Sequence, residues 1–535
     1  MNKYKNLLCV ALISIVLCVI EVLLNRIHEG WIFLSLIGLL WWGYQIIRYK
    51  QFTVSSILIV GIFTALYVIA MIPFSYSLPL NLIAVFRTIL FVFLSFLVYV
   101  SLIDESSRVI WENSLILAGV LAGIFSLLEV FIWFGRYSWV LSHLQEIPPL
   151  AKSFRISGFI FDHPNILAGY MNFVWPIMFV RMVSSKTKSK RLLWIAGIAL
   201  CALTLYFAIS RGGLIGALVG VFYFSSIPLL SSILSRSRSK GFDSYRRRQF
   251  IRQILIVSIM LALFSVAVLW RAIESKQINI AGLKSKQFLT FVDSLSSGRG
   301  RLWKYSWNAF QEAPIYGHGN GGFPLAYSHV AKLPPGFFAP SAHNLWLNAL
   351  VEYGVIGFIL LNCVIVLFIV LAARYLSKKE RPTIRYTDAY LAGGLAFLVH
   401  HFFDSMLWAA NYSASLLIIL ILLIRYAFYI KEWKISRRLY IFLGMTFLLL
   451  ITFIIYSIST LITSSSNYQS LVKQQELGEE LQFQDGICSL ADRYPKNALY
   501  HFECSITYDY QVSESLSGIL DQYSLYRALQ YQQIG

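Results

Sequence analysis

The chain has 535 residues, of which 57% are hydrophobic and only 13% charged. A soluble domain carries about 25% charged residues, so this composition excludes a soluble enzyme, a disordered chain and a secreted disulfide scaffold. The net charge of +19 would suggest nucleic acid in a soluble protein, but here basic loops also set membrane orientation.

A helix needs about 20 mostly apolar residues to cross the hydrocarbon core. Such windows fall at 7–24, 31–47, 52–72, 80–103, 111–134 and 158–182. They continue at 192–209, 214–234, 254–273, 344–373, 387–403, 412–430 and 439–460. The expected fold is therefore an all-α polytopic membrane protein of about 12–13 transmembrane helices. The first window follows Met1–Lys5 like a signal peptide, but no small-residue cleavage site follows it, so it reads as a retained span.

With the N-terminus in the cytoplasm, Arg48 and Lys50, the run Arg181–Arg191, and the run Arg236–Arg252 fall in short inner loops. So do Arg374–Arg385 and Lys431–Arg438, as the positive-inside bias requires. The charge is then mostly topology, and nucleic acid has no part in it. Three regions are expected: N-terminal transmembrane helices over 1–157, a transmembrane core over 158–460 with an external loop at 274–343, and an external helical tail over 461–535.

The tail reverses the charge balance toward acidic residues. Gln484–Arg493, a turn at Tyr494–Pro495 and Asn497–Gln511 look like one tetratricopeptide unit, a surface where a protein partner could dock. Cys488 and Cys504 on these two stretches could form a disulfide. Cys9, Cys18, Cys201 and Cys363 lie in spans as small hydrophobes, and no Cys/His spacing suggests a metal site.

Ionisable groups at the mouths of spans invite a functional reading. Ser210-Arg211-Gly212-Gly213 is a short polar break between two spans, where Arg211 either serves a ligand or snorkels to headgroups. Ser297-Gly298-Arg299-Gly300-Arg301 opens a stretch in which Trp303, Trp307 and Phe310 fall on one helical face. Two guanidiniums at a helix start can clamp phosphate through paired hydrogen bonds, and the bland alternative puts them on lipid phosphates. His343-Asn344 stands at the start of the 344–373 span, with Glu352 and Gly354 further in. A histidine there can take a proton from a hydroxyl at neutral pH, although many histidines only hydrogen-bond.

Tyr316–Phe323, containing His318, is glycine-rich but lacks the Lys-Ser/Thr of a nucleotide-binding loop. Asp162-His163-Pro164-Asn165 stands at the start of the 158–182 span, Arg87 lies inside 80–103, and His400, His401 and Asp404 lie near the end of 387–403. Arg87 either pairs with a carboxylate or faces a phosphate-bearing cavity.

Taken together, these stretches resemble the O-antigen ligase and O-antigen polymerase family, the Wzy/WaaL-like bacterial membrane glycosyltransferases. The matching pieces run in family order: Gly158-Phe159 with His163-Pro164-Asn165, Ser210–Gly213, and Ser297-Gly298-Arg299 with Trp303. Pro314, Gly317, Gly319 and Phe323 follow, then His343-Asn344 with Leu347, Glu352, Gly354 and Gly357.

The resemblance covers about residues 155–405 and implies a metal-independent, inverting transfer with no cofactor. It implies a glycan donor on undecaprenyl diphosphate and a sugar hydroxyl as acceptor, on a glycan or a lipid core, at the external face of the bacterial plasma membrane. Arg211 and Arg299 match the arginines assigned to the donor diphosphate, and His343 the histidine assigned to the acceptor. Arg301, Arg87, Asn165, His163, Asn344, His318 and Glu352 are then expected around the substrates. Arg301 and the long tail depart from the minimal pattern.

Polymerase and ligase differ only in acceptor, and the motifs do not separate them; polymerase is slightly favoured because nothing names a lipid-core acceptor. A protein oligosaccharyltransferase is a further version. The rival from another class is a lipid-linked glycan flippase, which should show paired halves with broken spans meeting at midplane. No such repeat is seen.

Overall fold

Apolar stretches in lipid must satisfy their own backbone groups, and helices account for nearly all the regular structure. In chain order these are α1 (Gly30–Arg48), α2 (Leu58–Ala70), α3 (Leu78–Ser101), α4 (Glu105–His143), α5 (Pro164–Ser184), α6 (Lys188–Ala208) and α7 (Arg211–Ser235). After them come α8 (Arg299–Glu312), α9 (Phe323–Ala331), α10 (Leu345–Leu376), α11 (Tyr386–His400) and α12 (Ala410–Tyr426). A further helix covers 437–449.

The structure is a computed structural model that describes residues 30–48, 51–55, 58–74, 78–102, 104–143, 155–157, 163–235 and 299–331. It also describes 339, 341–376, 384–407, 410–428, 431–449, 452 and 489. The expected spans at 7–24 and 254–273, the loop up to 298 and nearly all of the tail, with Cys488 and Cys504, lie outside the described residues.

Among the described residues, five helices are long and apolar enough to cross a membrane: Ala84–Ser101, Glu105–Ile132, Pro164–Ser184, Lys188–Ala208 and Leu345–Tyr375. One window begins differently from expectation. Residues 52–55 of the 52–72 window belong to strand β1 (Gln51–Ser55), paired antiparallel with β2 (Glu432–Ser436), with Phe52 opposite Ile435 and Val54 opposite Trp433. The pairing strand lies far away in sequence, so hydropathy alone does not reveal it. The α-helical part described there is Leu58–Ala70, 13 residues.

The chain divides into two compact units. The first comprises Met1–Ile59, Phe93–Gly298 and Ile365–Tyr440; the second comprises Val60–Val92, Arg299–Val364 and Ile441–Gly535.

In the first unit α5 is the central post, buried from Asn165 through Val180. It is apolar all round, as a helix with neighbours on every side must be. Helix α7 approaches it through glycines at every fourth position. A Cβ at Gly216 would lie 2.9 Å from Asn172 Nδ2 and 3.0 Å from the Ala396 carbonyl oxygen of α11, and one at Gly220 would lie 2.7 Å from Trp175. Small residues at this spacing let backbones close up, and Asn172 uses the approach to donate to the Gly213 carbonyl at 2.7 Å.

One end of α5 is tied by charge. Glu112 of α4, fully buried, accepts from Arg108, from Arg181 at 2.6 Å and from the Tyr390 hydroxyl of α11. The Arg108 guanidinium also lies 3.8 Å from the Tyr386 ring centroid. Nearby, Tyr223 of α7 donates to Asp388 at 3.0 Å. A buried carboxylate held by two guanidiniums and a phenol fixes how three helices, α4, α5 and α11, meet.

In the second unit α8 packs on α9 through Ala309, Phe310, Phe323, Ala326 and Tyr327. Of the face that carries Trp303, Trp307 and Phe310, Phe310 is buried together with Ser306 and Ala309, whereas Trp307 is half exposed. Contacts with α9 select the inward face more strongly than ring size does.

Candidate functional site

Local structure in the first unit explains Arg211. Helix α6 ends at Ala208, and Ile209 takes a left-handed conformation, φ 48° and ψ 41°. A β-branched residue rarely adopts that region, because its side chain crowds the following carbonyl. Ile209 is sustained by burial against Leu214 and Tyr206. The reversal lets α7 start two residues later, so Arg211 is its first residue and Ser210 sits at its mouth. Ser210 Oγ accepts the Gly213 amide N–H at 3.2 Å and lies 3.5 Å from His400 Nε2.

Asn165 and His163 meet this turn from α5. His163 Nδ1 accepts the Asn165 amide at 3.1 Å, capping the helix, with Pro164 at its first position. Asn165 donates its Nδ2 to Asp404 and accepts from Arg155 Nη2 at 2.6 Å. Arg155 Nε donates to the Ala208 carbonyl at 3.0 Å, and Ile156 N–H to that of Phe207 at 3.2 Å. Arg155 did not stand out in the sequence, because a lone arginine far from any motif carries no pattern. Asp404 and His400 stood out only as polar groups near a span end.

In the second unit the site is built around a break in α10. Gly354, at φ 63° and ψ −164°, interrupts the helix. A break frees carbonyls that must find other donors. The glycine-rich turn supplies them: His318 N–H donates to Val351 O and Gly319 N–H to Glu352 O, both at 2.9 Å, while Val355 N–H donates to Pro314 O at 2.8 Å. Tyr67 of α2 donates its hydroxyl to Tyr353 O at 2.9 Å. Glu352 accepts the Gly321 amide at 3.2 Å, so its side chain also anchors the turn. Gly317 has φ 71°, and a Cβ there would lie 2.5 Å from the Glu352 carbonyl.

His318 is buried in this clasp, and its Nε2 donates to the Ala309 carbonyl of α8 at 2.7 Å. Burial pushes its ring below the usual histidine value, against the upward pull of the Ala309 carbonyl and Glu312, so it is neutral at pH 7. The ring pins α8 to the turn.

His343 stands just before α10 with φ 47°. Its neighbours hold the peptide on both sides. The Ala342 amide donates to Asn348 Oδ1 at 3.1 Å, and the Ala342 carbonyl accepts the Trp303 indole N–H at 3.0 Å. The His343 amide donates to Ser341 Oγ at 3.3 Å. Asn344 caps α10, its Oδ1 accepting the Leu347 amide at 2.9 Å, and Asn348 also bonds Glu352.

Trp303 belongs to the helix whose first residue is Arg299, so one hydrogen bond joins the arginine-bearing helix to the histidine turn. Arg299 is half buried at that start, where backbone N–H groups favour an anion. Arg301 is exposed one residue further, and Arg87 is half buried on α3.

The expected residues therefore fall into two groups: Arg211, Asn165 and His163 in the first unit, and Arg299, Arg301, His318, His343, Asn344, Glu352 and Arg87 in the second. Among the described residues, no group of three or more His, Cys, Asp or Glu side chains could hold a metal ion.

Residues 196–361 match the family model of the O-antigen ligases. The matched segment contains Arg211, Arg299, His343 and Glu352, and it supports the O-antigen ligase and polymerase family that the motifs resemble. With it come, in broad terms, a multi-pass membrane protein, a glycosyltransferase-type role, and lipid-linked glycans and membrane lipids as what the protein works among. No curated protein matches the chain.

Proposed function

With that family match as premise, we propose that the protein transfers glycan from undecaprenyl diphosphate to a sugar hydroxyl at the external face of the bacterial plasma membrane, as a surface polysaccharide polymerase or O-antigen-type ligase. The observation that carries the reading is the pairing of Arg299 and His343 within one unit, through the Trp303 indole on the Ala342 carbonyl.

The chemistry follows from the groups. The leaving group is a lipid diphosphate, and fixed guanidiniums that neutralise its growing charge lower the barrier. The family resemblance assigns this part to Arg299 at the α8 start and Arg211 at the α7 start. His343 accepts the proton of the sugar hydroxyl as that oxygen attacks the anomeric carbon from the side opposite the diphosphate, which inverts the centre. The orientation follows from the basic inner loops, which put the external loop and tail outside. An acceptor on protein would use the same three residues.

A broken span is also what a transporter would show. Here the break at Gly354 is filled by the chain's own turn, with the carbonyls of Val351, Glu352 and Tyr353 each taking a donor. That favours an anchor over a transport site.

Purified protein supplied with lipid-linked repeat units tests the reading. Chain growth or transfer that persists in excess chelator is expected; activity lost to chelator and restored by a divalent cation would contradict the metal-free chemistry.

A further inference from the structure

The polar contacts around the Ser210-Arg211 turn close into a ring within the first unit. Asp404 accepts from Asn165 Nδ2, and Asn165 Oδ1 accepts from Arg155 Nη2 at 2.6 Å. Arg155 Nε holds the Ala208 carbonyl at 3.0 Å. From Ala208 the chain passes through left-handed Ile209 to Ser210, whose hydroxyl lies 3.5 Å from His400 Nε2. His400 and Asp404 leave the same end of α11, which completes the circuit. Asn165, Ser210, His400 and Asp404 are all buried.

Two features set this ring apart from incidental polar packing. A carboxylate and a guanidinium are bridged by a neutral amide, so Asn165 must donate on one side and accept on the other, and its orientation is fixed. Gly212, next to Arg211, lies against the His400 ring so closely that a Cβ would sit 2.5 Å from it. A buried carboxylate held this way is a demanding arrangement to keep, and it encloses a turn with an outlying backbone residue.

We propose that this ring is a positioning frame for Arg211, with Asp404, His400 and Arg155 as positioning residues that set where the α7 start presents its cation. The inference rests on the reading of Arg211 as a ligand of the donor diphosphate. Asp404 and His400 are buried and Arg155 is half-buried, and all three act through the backbone that carries Arg211.

The polarity of the ring supplies the test. Asn165→Asp sets two carboxylates against each other, and adding Asp404→Asn restores one donor and one acceptor at that contact. The full-length protein is reconstituted in lipid nanodiscs, and kcat and KM for the acceptor are measured alongside hydrogen exchange of amides 207–213.

For Asn165→Asp the frame predicts a fall in kcat of about tenfold or more, the scale of one or two hydrogen bonds to charge. Acceptor KM should stay near wild type, while melting temperature falls because two buried carboxylates then face each other. Exchange over 207–213 should rise about tenfold, and the double variant should recover both kcat and exchange. Wild-type kcat and exchange in Asn165→Asp, or a double variant no better than the single one, would overturn the frame. Should Asn165→Asp not accumulate, Ser210→Ala carries the test, with raised exchange and lowered kcat expected and unchanged values overturning it. Wild-type protein that transfers nothing would sink the glycosyltransferase reading, and the exchange comparison would still decide the frame.

Discussion

The Trp303 indole donates to the carbonyl of Ala342 at 3.0 Å, and the next residue, His343, stands in the left-handed region at φ 47°. Sequence separates the two groups by a loop; structure joins them through one peptide unit. Histidine tolerates that region better than a branched residue does, yet the conformation still has to be held by its surroundings. The holders are Trp303 from α8 and Asn348 from α10.

Trp303→Phe keeps the ring and removes the donor. The Ala342 carbonyl loses a bond worth about 1 kcal/mol, and the His343 turn gains freedom. Transfer by purified protein is expected to fall about fivefold to tenfold with the amount of folded protein unchanged. Full activity in the variant would remove Trp303 from the account.

Glu112 has two guanidiniums and a phenol around it and no exposure. Glu112→Ala takes the buried carboxylate from both cations and leaves Arg108 only Glu105 as a carboxylate partner. Breaking a buried pair in this way costs about 3–5 kcal/mol. Thermal unfolding in detergent should show a large drop in melting temperature. Arg181→Ala should cost less, because Arg108 continues to satisfy the carboxylate.

His318 predicts a pH dependence. Its native ring is held below the ordinary value of 6.5 by burial, while the unfolded ring titrates at that value. Below pH 6.5 the unfolded state therefore binds more protons, and the clasp loses stability as pH falls until the lowered native value is reached. Above that window the term is flat. Hydrogen exchange of amides 318–327 should quicken from pH 6.5 downward. His318→Gln, which keeps a donor for Ala309, should flatten the profile; an identical profile in the variant would remove His318 from the pH dependence.

Gly354→Ala tests the break in α10. Its φ of 63° disfavours any side chain, and a Cβ would sit 2.3 Å from the Ile315 carbonyl. Strain of about 1–3 kcal/mol comes on top of the clash, so the glycine-rich turn should detach. Little folded protein, or rapid proteolysis near residue 317, is the expected result, and a stable, fully active variant would contradict it.

Much of this is legible in the sequence. Hydropathy gives α4, α5, α6 and α10; the Arg299 start of α8 follows from local pattern; the glycine-rich stretch reads as a turn without nucleotide chemistry. What was hidden depends on partners far apart in the chain. Asn165 meets Asp404 across 239 residues, β1 finds β2 across most of the protein, and Arg155 gains meaning only from Ala208 and Asn165. Trp307 shares a helical face with Trp303 and Phe310 in the sequence, yet Phe310 is buried in the cluster with α9 while Trp307 is half exposed. Glycine at 212, 216 and 220 was readable as a close-packing stripe, a signal that hydropathy windows pass over.

The central claim is that His343 carries the acceptor step, and the most direct measurement is the length of glycan on undecaprenyl diphosphate in cells whose only copy carries His343→Ala. The account predicts accumulation behind the block, with the variant inserted and abundant: single repeat units for a polymerase, long lipid-linked chains for a ligase. Normal polysaccharide with no accumulation, in cells shown to make and flip the donor, would contradict it.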